Sequence, residues 1–228
     1  MAHYTSGGQP YNITFYPGPD STKTYPGVVL LHGNGAFRPP FGDQIHDFAE
    51  ALAKLGYVTA VPGYYLKDNP PPVPPLENMD TDPGPHVQKL ADAIAELSKR
   101  KDVDSSRLGL IAYSLGAAVA MRYMAASPGR ASVFADFFGP MDPTIKGGVG
   151  NFPPTIIFHT DGDKLVWVSN SKELRDDLAA KKIDHHFEPY PPEGQFMDHP
   201  FKPGGHADED SRKQLTKWFA KYLPPKGT

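Results

Sequence analysis

The chain has 228 residues and no cysteine, and its 23 Lys and Arg residues nearly balance 26 Asp and Glu residues, giving a formal net charge of −3. The lack of cysteine excludes disulfides, thiolate catalysis and cysteine-ligated zinc, and no cluster of Lys and Arg forms the basic face that nucleic acid requires. Hydrophobic residues make up 39%, enough for a core, but no stretch approaches the roughly 20 apolar residues of a membrane span.

The start of the chain, MAHYTSGGQP, has neither a basic region nor an apolar segment. No signal peptide is therefore visible, which favours a cytoplasmic protein unless a secretion signal has been removed. The length favours a single domain over residues 1–228.

Strands and helices alternate along most of the chain. Residues 11–16, YNITFY, alternate apolar and polar side chains before Pro17-Gly18 and predict an edge strand. Residues 28–31, VVLL, predict a strand buried on both faces. Ile45, Phe48, Leu52 and Leu55 then recur at helical spacing, and Gly56 stands where a helix C-cap belongs.

The same alternation continues to the end of the chain. Further strands are predicted at 57–61 and 108–113 and near residues 133, 155 and 185. Further helices are predicted at 87–99, 115–126, 168–181 and 207–223. Strands that alternate with helices indicate an α/β fold with a mostly parallel, doubly wound sheet and helices on both faces.

Residues 66–86, LKDNPPPVPPLENMDTDPGPH, interrupt this pattern. Seven of the 26 prolines lie here, and proline blocks regular backbone hydrogen bonding, so the segment is predicted to be an ordered loop. Three interpretations stay open. The segment is a stiff surface connection, a rim or lid over a pocket, since loops of this length in compact domains are often functional, or a polyproline II ligand for a partner domain.

Ser114 is the candidate nucleophile. It follows the strand LGLIAY and precedes the Ala-rich helix, and Ala112 and Gly116 are small residues two positions before and after it. A reactive serine on a sharp turn between a buried strand and a helix needs small neighbours at these positions. Taken alone this pattern is weak, because any buried strand end can carry a serine.

The motif HGNG at 32–35 follows a buried strand and is the candidate oxyanion loop. Acyl transfer needs backbone N–H groups aimed at the developing oxyanion, one from such a loop and one from the residue after the nucleophile. Asn34 and Leu115 are the predicted donors. His32 is expected to orient the loop rather than to act as a base.

An acid and a base follow in the order that a triad requires. Asp163 follows the strand TIIFH and is preferred over Asp161, which precedes a glycine. His206, in a Gly-rich loop before the last helix, is the predicted general base, with His199 as second choice. His185 and His186 alternate on a strand, face opposite sides and cannot hold one metal ion.

Together, LLHGNGAF, VDSSRLGLIAYSLGAAVA, IIFHTDGDKLV and PGGHADEDS resemble the α/β hydrolase superfamily and, within it, the dienelactone hydrolase-like group. The resemblance spans residues 25–223 and implies a sheet of the α/β hydrolase type. Typical dienelactone hydrolases carry a cysteine nucleophile where this chain has Ser114, so their activity on dienelactones does not carry over. Many relatives with serine are esterases or lactonases.

The resulting prediction is a serine hydrolase that acts on a small-molecule carboxylic ester or lactone and requires no cofactor or metal. Two alternatives remain: a lyase, cyclase or acyl transferase with the same triad, and a ligand-binding protein with a vestigial triad. Four aromatic residues are candidates for the substrate pocket or for ordinary packing, namely Tyr64, Tyr65, Tyr113 and Trp167. The substrate and the oligomeric state stay open.

Overall fold

A computed structural model describes residues 2–65, 82–192, 201 and 203–225. These residues form eight strands and six α-helices. The strands are β1 (Ala2–Ser6), β2 (Gln9–Tyr16), β3 (Tyr25–Leu31), β4 (Val58–Pro62), β5 (Val103–Tyr113), β6 (Val133–Phe137), β7 (Thr155–Thr160) and β8 (His185–Tyr190). The helices are α1 (Phe41–Lys54), α2 (Gly84–Ser98), α3 (Leu115–Ala125), α4 (Pro143–Gly148), α5 (Ser169–Ala180) and α6 (His206–Tyr222), and a 3-10 turn spans Val149–Asn151.

The eight strands form one sheet in the order β1-β2-β4-β3-β5-β6-β7-β8. The pairs β1-β2 and β2-β4 are antiparallel, and the five other pairs are parallel. The prediction of a mostly parallel α/β sheet is therefore confirmed. The carboxyl ends of β3, β5, β6 and β7 meet at one edge, where ligands bind in such sheets.

The prediction that residues 11–16 form an edge strand is wrong. The strand β2 lies between β1 and β4, and β1 is the outer strand. Gly7 and Gly8, with φ of 55° and 76°, join β1 to β2 by a tight hairpin turn. A Gly-Gly pair after residues 2–6 was the signal that predicts such a hairpin.

Helices cover both faces of the sheet, as the doubly wound prediction requires. Apolar side chains of α2, α3 and α5 pack on one face, and those of α1 and α6 pack on the other. On β3, Val29 and Leu31 join the first layer, whereas Val28 and Leu30 join the second. This central strand is thus buried on both faces, and its carboxyl end is held rigidly.

Two predicted boundaries shift. The helix α1 ends at Lys54, and Leu55 is 50% exposed rather than part of the buried stripe formed by Ile45, Phe48 and Leu52. The helix α2 begins at Gly84 instead of residue 87, because Asp82 accepts a hydrogen bond from the Gly84 N–H and starts the first turn. The rest of the Pro-rich segment, residues 66–81, lies outside the described residues.

Candidate active site

Ser114 occupies the sharp turn between β5 and α3. Its backbone has φ 53° and ψ −121°, a conformation that non-glycine residues rarely adopt. The Ser114 N–H donates to the Phe137 carbonyl on β6 at 2.9 Å, and the Ser114 carbonyl accepts from the Ala117 N–H at 2.9 Å. These bonds hold the strained turn in place, and backbone strain of this kind occurs preferentially at functional sites.

Small residues let the oxyanion loop approach this turn. A Cβ added at Gly116 would lie 2.3 Å from the His32 carbonyl oxygen, and one added at Gly33 would lie 3.1 Å from the Ser114 Cβ. Ala112 is fully buried below the turn. Backbone therefore packs on backbone between the end of β3 and the start of α3, and Gly116 is required by that contact.

His32 contacts and supports the oxyanion loop, which is the role expected for it from the sequence. Its Nδ1 lies 2.6 Å from the Gly33 carbonyl oxygen, and its ring stacks on Tyr64 with 3.9 Å between centroids. Burial lowers the pKa of His32 to about 4, although the hydrogen bond to Gly33 opposes this effect. The imidazole is therefore neutral at neutral pH, and its low pKa makes it a weak base.

The two predicted oxyanion donors, Asn34 and Leu115, come from two segments next to Ser114. Asn34 lines the cavity beside Ser114, and its side-chain oxygen accepts a hydrogen bond of 2.8 Å from the Tyr65 hydroxyl. Leu115 is the first residue of α3, so its backbone N–H has no acceptor within the helix. The positive end of the helix dipole adds to the field at this point.

Asp163 follows β7 in a loop whose shape its own side chain fixes. Its Oδ1 accepts hydrogen bonds from the N–H groups of Leu165 at 2.8 Å and Val166 at 3.0 Å. The other oxygen, Oδ2, is buried and accepts no hydrogen bond from the described residues. Asp161, by contrast, is 55% exposed in its side chain and lies 3.8 Å from Lys172. The geometry thus favours Asp163 as the acid.

A buried histidine that the sequence analysis did not single out supports this acid. His159, on β7, is fully buried, and its Nε2 lies 2.8 Å from the Val166 carbonyl and 3.5 Å from Asp163 Oδ2. Its Nδ1 lies 2.7 Å from the Ser171 hydroxyl. The carbonyl of Val166 can only accept, so Nε2 carries the hydrogen and the imidazole ties the acid loop to α5.

The pKa of Asp163 reflects this environment. Burial raises the pKa of its carboxyl, but the approach of His159 and the backbone N–H groups of Val166 and Leu165 lower it by more, so the net shift is downward. The His159 N–H donates at 2.8 Å to the Val166 carbonyl, so its 3.5 Å approach to Asp163 Oδ2 is an electrostatic contact and not a hydrogen bond. Asp163 is therefore ionised at neutral pH and can orient a histidine.

The predicted base, His206, has an exposed position away from the described wall of the cavity. It is exposed at the start of α6, where its ring centroid is 6.2 Å from that of Tyr190, and it is absent from the described lining of the cavity. The alternative, His199, lies outside the described residues. Phe201, two residues after His199, is buried and lines the cavity next to Ser114.

Hydrogen bonds hold Phe201 at the cavity. Gln44 of α1 donates to the Phe201 carbonyl at 2.9 Å and to Asp208 Oδ1 at 2.7 Å. Asp208 also accepts from Arg212 Nε at 2.7 Å and from the Gly204 N–H at 3.0 Å. The start of α6 is in this way joined to α1.

A cavity of about 290 Å³ opens beside Ser114. Its wall combines the oxyanion loop, the start of α1 and residues after three strands, namely Gly33, Asn34, Gly35, Ala36, Arg38, Pro39, Phe41, Gln44, Ile45, Tyr113, Ser114, Phe138, Leu165 and Phe201. Most of these side chains are apolar, which is typical of a small-molecule pocket.

The prediction of the pocket residues needs correction. Tyr113 lines the cavity, but Tyr64, Tyr65 and Trp167 are not part of the described wall. Tyr64 is buried beneath the oxyanion loop and donates to the His32 carbonyl at 2.5 Å, and Tyr65 contacts Asn34. Trp167 is 70% exposed. The two tyrosines support the loop because the chain after β4 passes behind it.

Within the described part of the chain, no group of three His, Cys, Asp or Glu residues is placed to hold a metal ion. No helix among these residues is long and apolar enough to cross a membrane.

Comparison with known proteins agrees with this architecture. One solved structure, a promiscuous phosphotriesterase called P91 from metagenomic libraries that is described as dienelactone hydrolase-like, has 18% identity and a TM-score of 0.81, covering 97% of this chain and 96% of that one. A candidate dienelactone hydrolase from Klebsiella pneumoniae subsp. pneumoniae MGH 78578 has 16% identity and a TM-score of 0.77, with 97% and 98% covered. These likenesses show a shared α/β hydrolase fold.

A search of curated proteins gives no match. The family model for the dienelactone hydrolase family matches residues 14–223, a span that includes the oxyanion loop, Ser114, Asp163 and both candidate base histidines. The chain therefore belongs to the dienelactone hydrolase family and is a hydrolase of the α/β hydrolase type.

Proposed function

We propose that the protein is a serine hydrolase that cleaves a carboxylic ester or lactone through an acyl-enzyme on Ser114. The observation that carries this proposal is the strained turn at Ser114, which borders a largely apolar cavity between the oxyanion loop and the start of α3. Family membership supports hydrolysis in general. The ester bond and the catalytic residues are inferred from the chemistry that this arrangement suits.

The Ser114 hydroxyl attacks the ester carbonyl carbon while a histidine takes its proton. The carbonyl electron pair moves to oxygen, where the N–H groups of Asn34 and Leu115 stabilise the negative charge. The tetrahedral intermediate then expels the alcohol, which receives the proton from the histidine. Water attacks the acyl-enzyme by the same steps, releasing the acid and restoring Ser114.

Asp163 orients the histidine and stabilises its positive charge. Its Oδ1 is occupied by two backbone N–H groups, whereas its buried Oδ2 accepts no hydrogen bond from the described residues. A carboxylate oxygen in that position is suited to accept the Nδ1–H of a base.

The base is one of two histidines between β8 and the start of α6. His206 was the first choice from the sequence, but its exposed ring lies by Tyr190. His199 lies outside the described residues, but in the sequence it stands two residues before Phe201, a wall residue of the cavity. We therefore favour His199 as the base.

The test combines active-site labelling with turnover. Wild-type protein should react with a fluorophosphonate probe and hydrolyse p-nitrophenyl esters or lactones, and Ser114→Ala should lose both. Equal labelling of wild type and Ser114→Ala would refute the nucleophile, and a wild type that binds esters without labelling or turnover would indicate a ligand-binding protein. Products that lack the elements of water would indicate a lyase or an acyl transferase.

A further inference from the structure

We propose that the cavity beside Ser114 receives a compact aromatic group of the ester substrate and that Phe138 determines the size of the group accepted. This inference rests on the proposed function, because it assumes that the reacting carbonyl lies at Ser114. The aromatic group can belong to the acid or to the alcohol, and the experiment below distinguishes the two.

Three aromatic rings form a continuous part of the cavity wall. The Phe138 and Phe201 rings stack with 5.5 Å between centroids and 25° between planes. The Tyr113 ring lies 6.2 Å from that of Phe138 and stacks on Phe137 at 4.5 Å. Aromatic rings at 4.5 to 7 Å in stacked or tilted arrangements attract one another. A flat ring in the cavity would add a further member to this cluster.

The remaining wall favours a small uncharged group. Phe41, Ile45 and Leu165 are apolar, and the polar side chain of Gln44 is already bonded to Phe201 and Asp208. The volume of about 290 Å³ is at the lower end of the range for small-molecule pockets, about 300 to 1,000 Å³. Arg38 is the one charged side chain in the described wall, so a carboxylate-bearing ester is a necessary comparison.

Phe138 has a strained backbone conformation that a hydrogen bond to the neighbouring strand holds in place. Its φ is 47°, which is unusual for a bulky residue, and its N–H donates to the Phe158 carbonyl at 2.9 Å. Four non-glycine residues with positive φ occur in the described chain, and three of them line this cavity: Ala36, Ser114 and Phe138. Strain concentrated around one cavity points to a role for each of these residues in the site.

The experiment measures kcat/KM by proton release, so that no aromatic leaving group is needed. The substrates are methyl phenylacetate and benzyl acetate, their saturated counterparts methyl cyclohexylacetate and cyclohexylmethyl acetate, methyl acetate, and monomethyl succinate. At least one aromatic ester should exceed methyl acetate by about tenfold or more and its saturated counterpart by about threefold. The better aromatic ester identifies the side on which the ring binds.

The role of Phe138 is tested by a ratio measured within one variant, which does not depend on the amount of folded enzyme. The ratio uses the side on which the ring binds: methyl 2-naphthylacetate relative to methyl phenylacetate for the acid, or 2-naphthylmethyl acetate relative to benzyl acetate for the alcohol. In Phe138→Leu this ratio of kcat/KM values should rise by about tenfold, because the smaller side chain enlarges the cavity. Phe134→Leu is the matched control, since Phe134 is equally buried on β6 but packs on the other face of the sheet. Its ratio should stay within twofold of wild type.

Each outcome decides between the two proposals. Ester turnover in which saturated counterparts react as fast as aromatic ones, or in which monomethyl succinate is the best substrate, would overturn the aromatic assignment and leave the serine hydrolase intact. An unchanged ratio in Phe138→Leu, or an equal rise in Phe134→Leu, would overturn the role of Phe138. Absence of turnover on every ester, together with absence of fluorophosphonate labelling, would overturn both proposals.

Discussion

The Oδ2 atom of Asp163 lies 3.5 Å from the Nε2 atom of His159, yet the hydrogen on that nitrogen is directed to the Val166 carbonyl at 2.8 Å. His159 thus fixes the loop of Asp163 without a hydrogen bond to Oδ2, the oxygen that we propose binds the catalytic histidine. Backbone N–H groups hold the other carboxylate oxygen, whereas Oδ2 accepts no hydrogen bond from the described residues. Replacement of Asp163 is therefore the most informative test of which acid orients the base.

Asp163→Asn should lower kcat/KM by about 10³ to 10⁴-fold, because an amide cannot fix the tautomer or stabilise the charge of the base. The Asn side-chain oxygen still accepts from Leu165 and Val166, so folding should be preserved. Asp161→Asn is the control, since Asp161 is exposed, and it should stay within twofold of wild type. A larger loss in Asp161→Asn than in Asp163→Asn would reverse the assignment.

His199→Ala should lower kcat/KM for the best ester by at least 10³-fold, whereas His206→Ala should change it by less than fivefold. The physical reason is that Phe201 lines the cavity while the His206 ring lies by Tyr190. Steady-state kinetics of the two variants, prepared in parallel, decide the point. The opposite pattern would return the role of base to His206.

Gly116→Ala should lower the free energy of unfolding by about 1 to 3 kcal/mol, because the new methyl group would overlap the His32 carbonyl oxygen at 2.3 Å. Gly147→Ala, in α4, meets no atom within 4 Å and should be neutral or stabilising by up to about 1 kcal/mol. Urea unfolding curves provide the comparison. Equal midpoints for the two variants would contradict the close approach at Gly116.

Ser114→Gly should be more stable than Ser114→Ala by about 1 to 2 kcal/mol, since glycine adopts φ 53° without strain. Both variants lack the hydroxyl and should be inactive, so the comparison isolates the cost of the backbone conformation. Thermal or urea unfolding measures the difference. If Ser114→Gly proved less stable than Ser114→Ala, the turn would not be strained.

The free energy of unfolding should depend on pH because of the buried carboxyl of Asp136. Burial raises the pKa of its carboxyl to about 7, although His159 and the Gly139 N–H oppose this. In the unfolded chain its pKa is about 3.9, so between about pH 4 and 7 the unfolded state loses a proton that the folded state keeps. The contribution of Asp136 to the free energy of unfolding therefore falls as pH rises through this window.

Asp136→Asn cannot ionise but keeps an oxygen for the Gly139 N–H, which now donates to Asp136 at 3.0 Å. Relative to wild type, its free energy of unfolding should increase by about 4 kcal/mol between pH 4 and pH 8. Urea unfolding at a series of pH values measures the difference between the two proteins. Parallel pH profiles would show that Asp136 does not titrate in this range.

The parallel sheet was predictable because strand and helix periodicities alternate clearly and depend on local sequence. Ser114 was visible because a buried strand, a small-residue turn and a helix follow one another directly. The position of Asp163 after β7 was predictable because an acid that directly follows a buried strand is also a local sequence feature. In each case the signal lies within a few residues of the feature that it predicts.

The features that local sequence does not specify depend on contacts between distant residues. His206 follows a Gly-rich stretch whose path is set by Asp208 and Gln44, 164 residues apart, and no local pattern gives that path or decides between His206 and His199. The wall residue Phe138 was not predicted because its direction depends on a positive φ at a non-glycine residue. Tyr64 and Tyr65 are aromatic residues of the type that commonly line pockets, but their hydroxyls donate hydrogen bonds to the oxyanion loop.

The bond between Gln44 and Asp208 has a consequence for the nascent protein. Synthesis at about 5 to 20 residues per second separates these two residues by roughly ten to thirty seconds, and Ser114 leaves the ribosome well before α6. During that interval the oxyanion loop and the nucleophile can exist without the wall that Phe201 completes. Catalytic competence should therefore arise abruptly, once α6 has left the ribosome and docked to close the cavity.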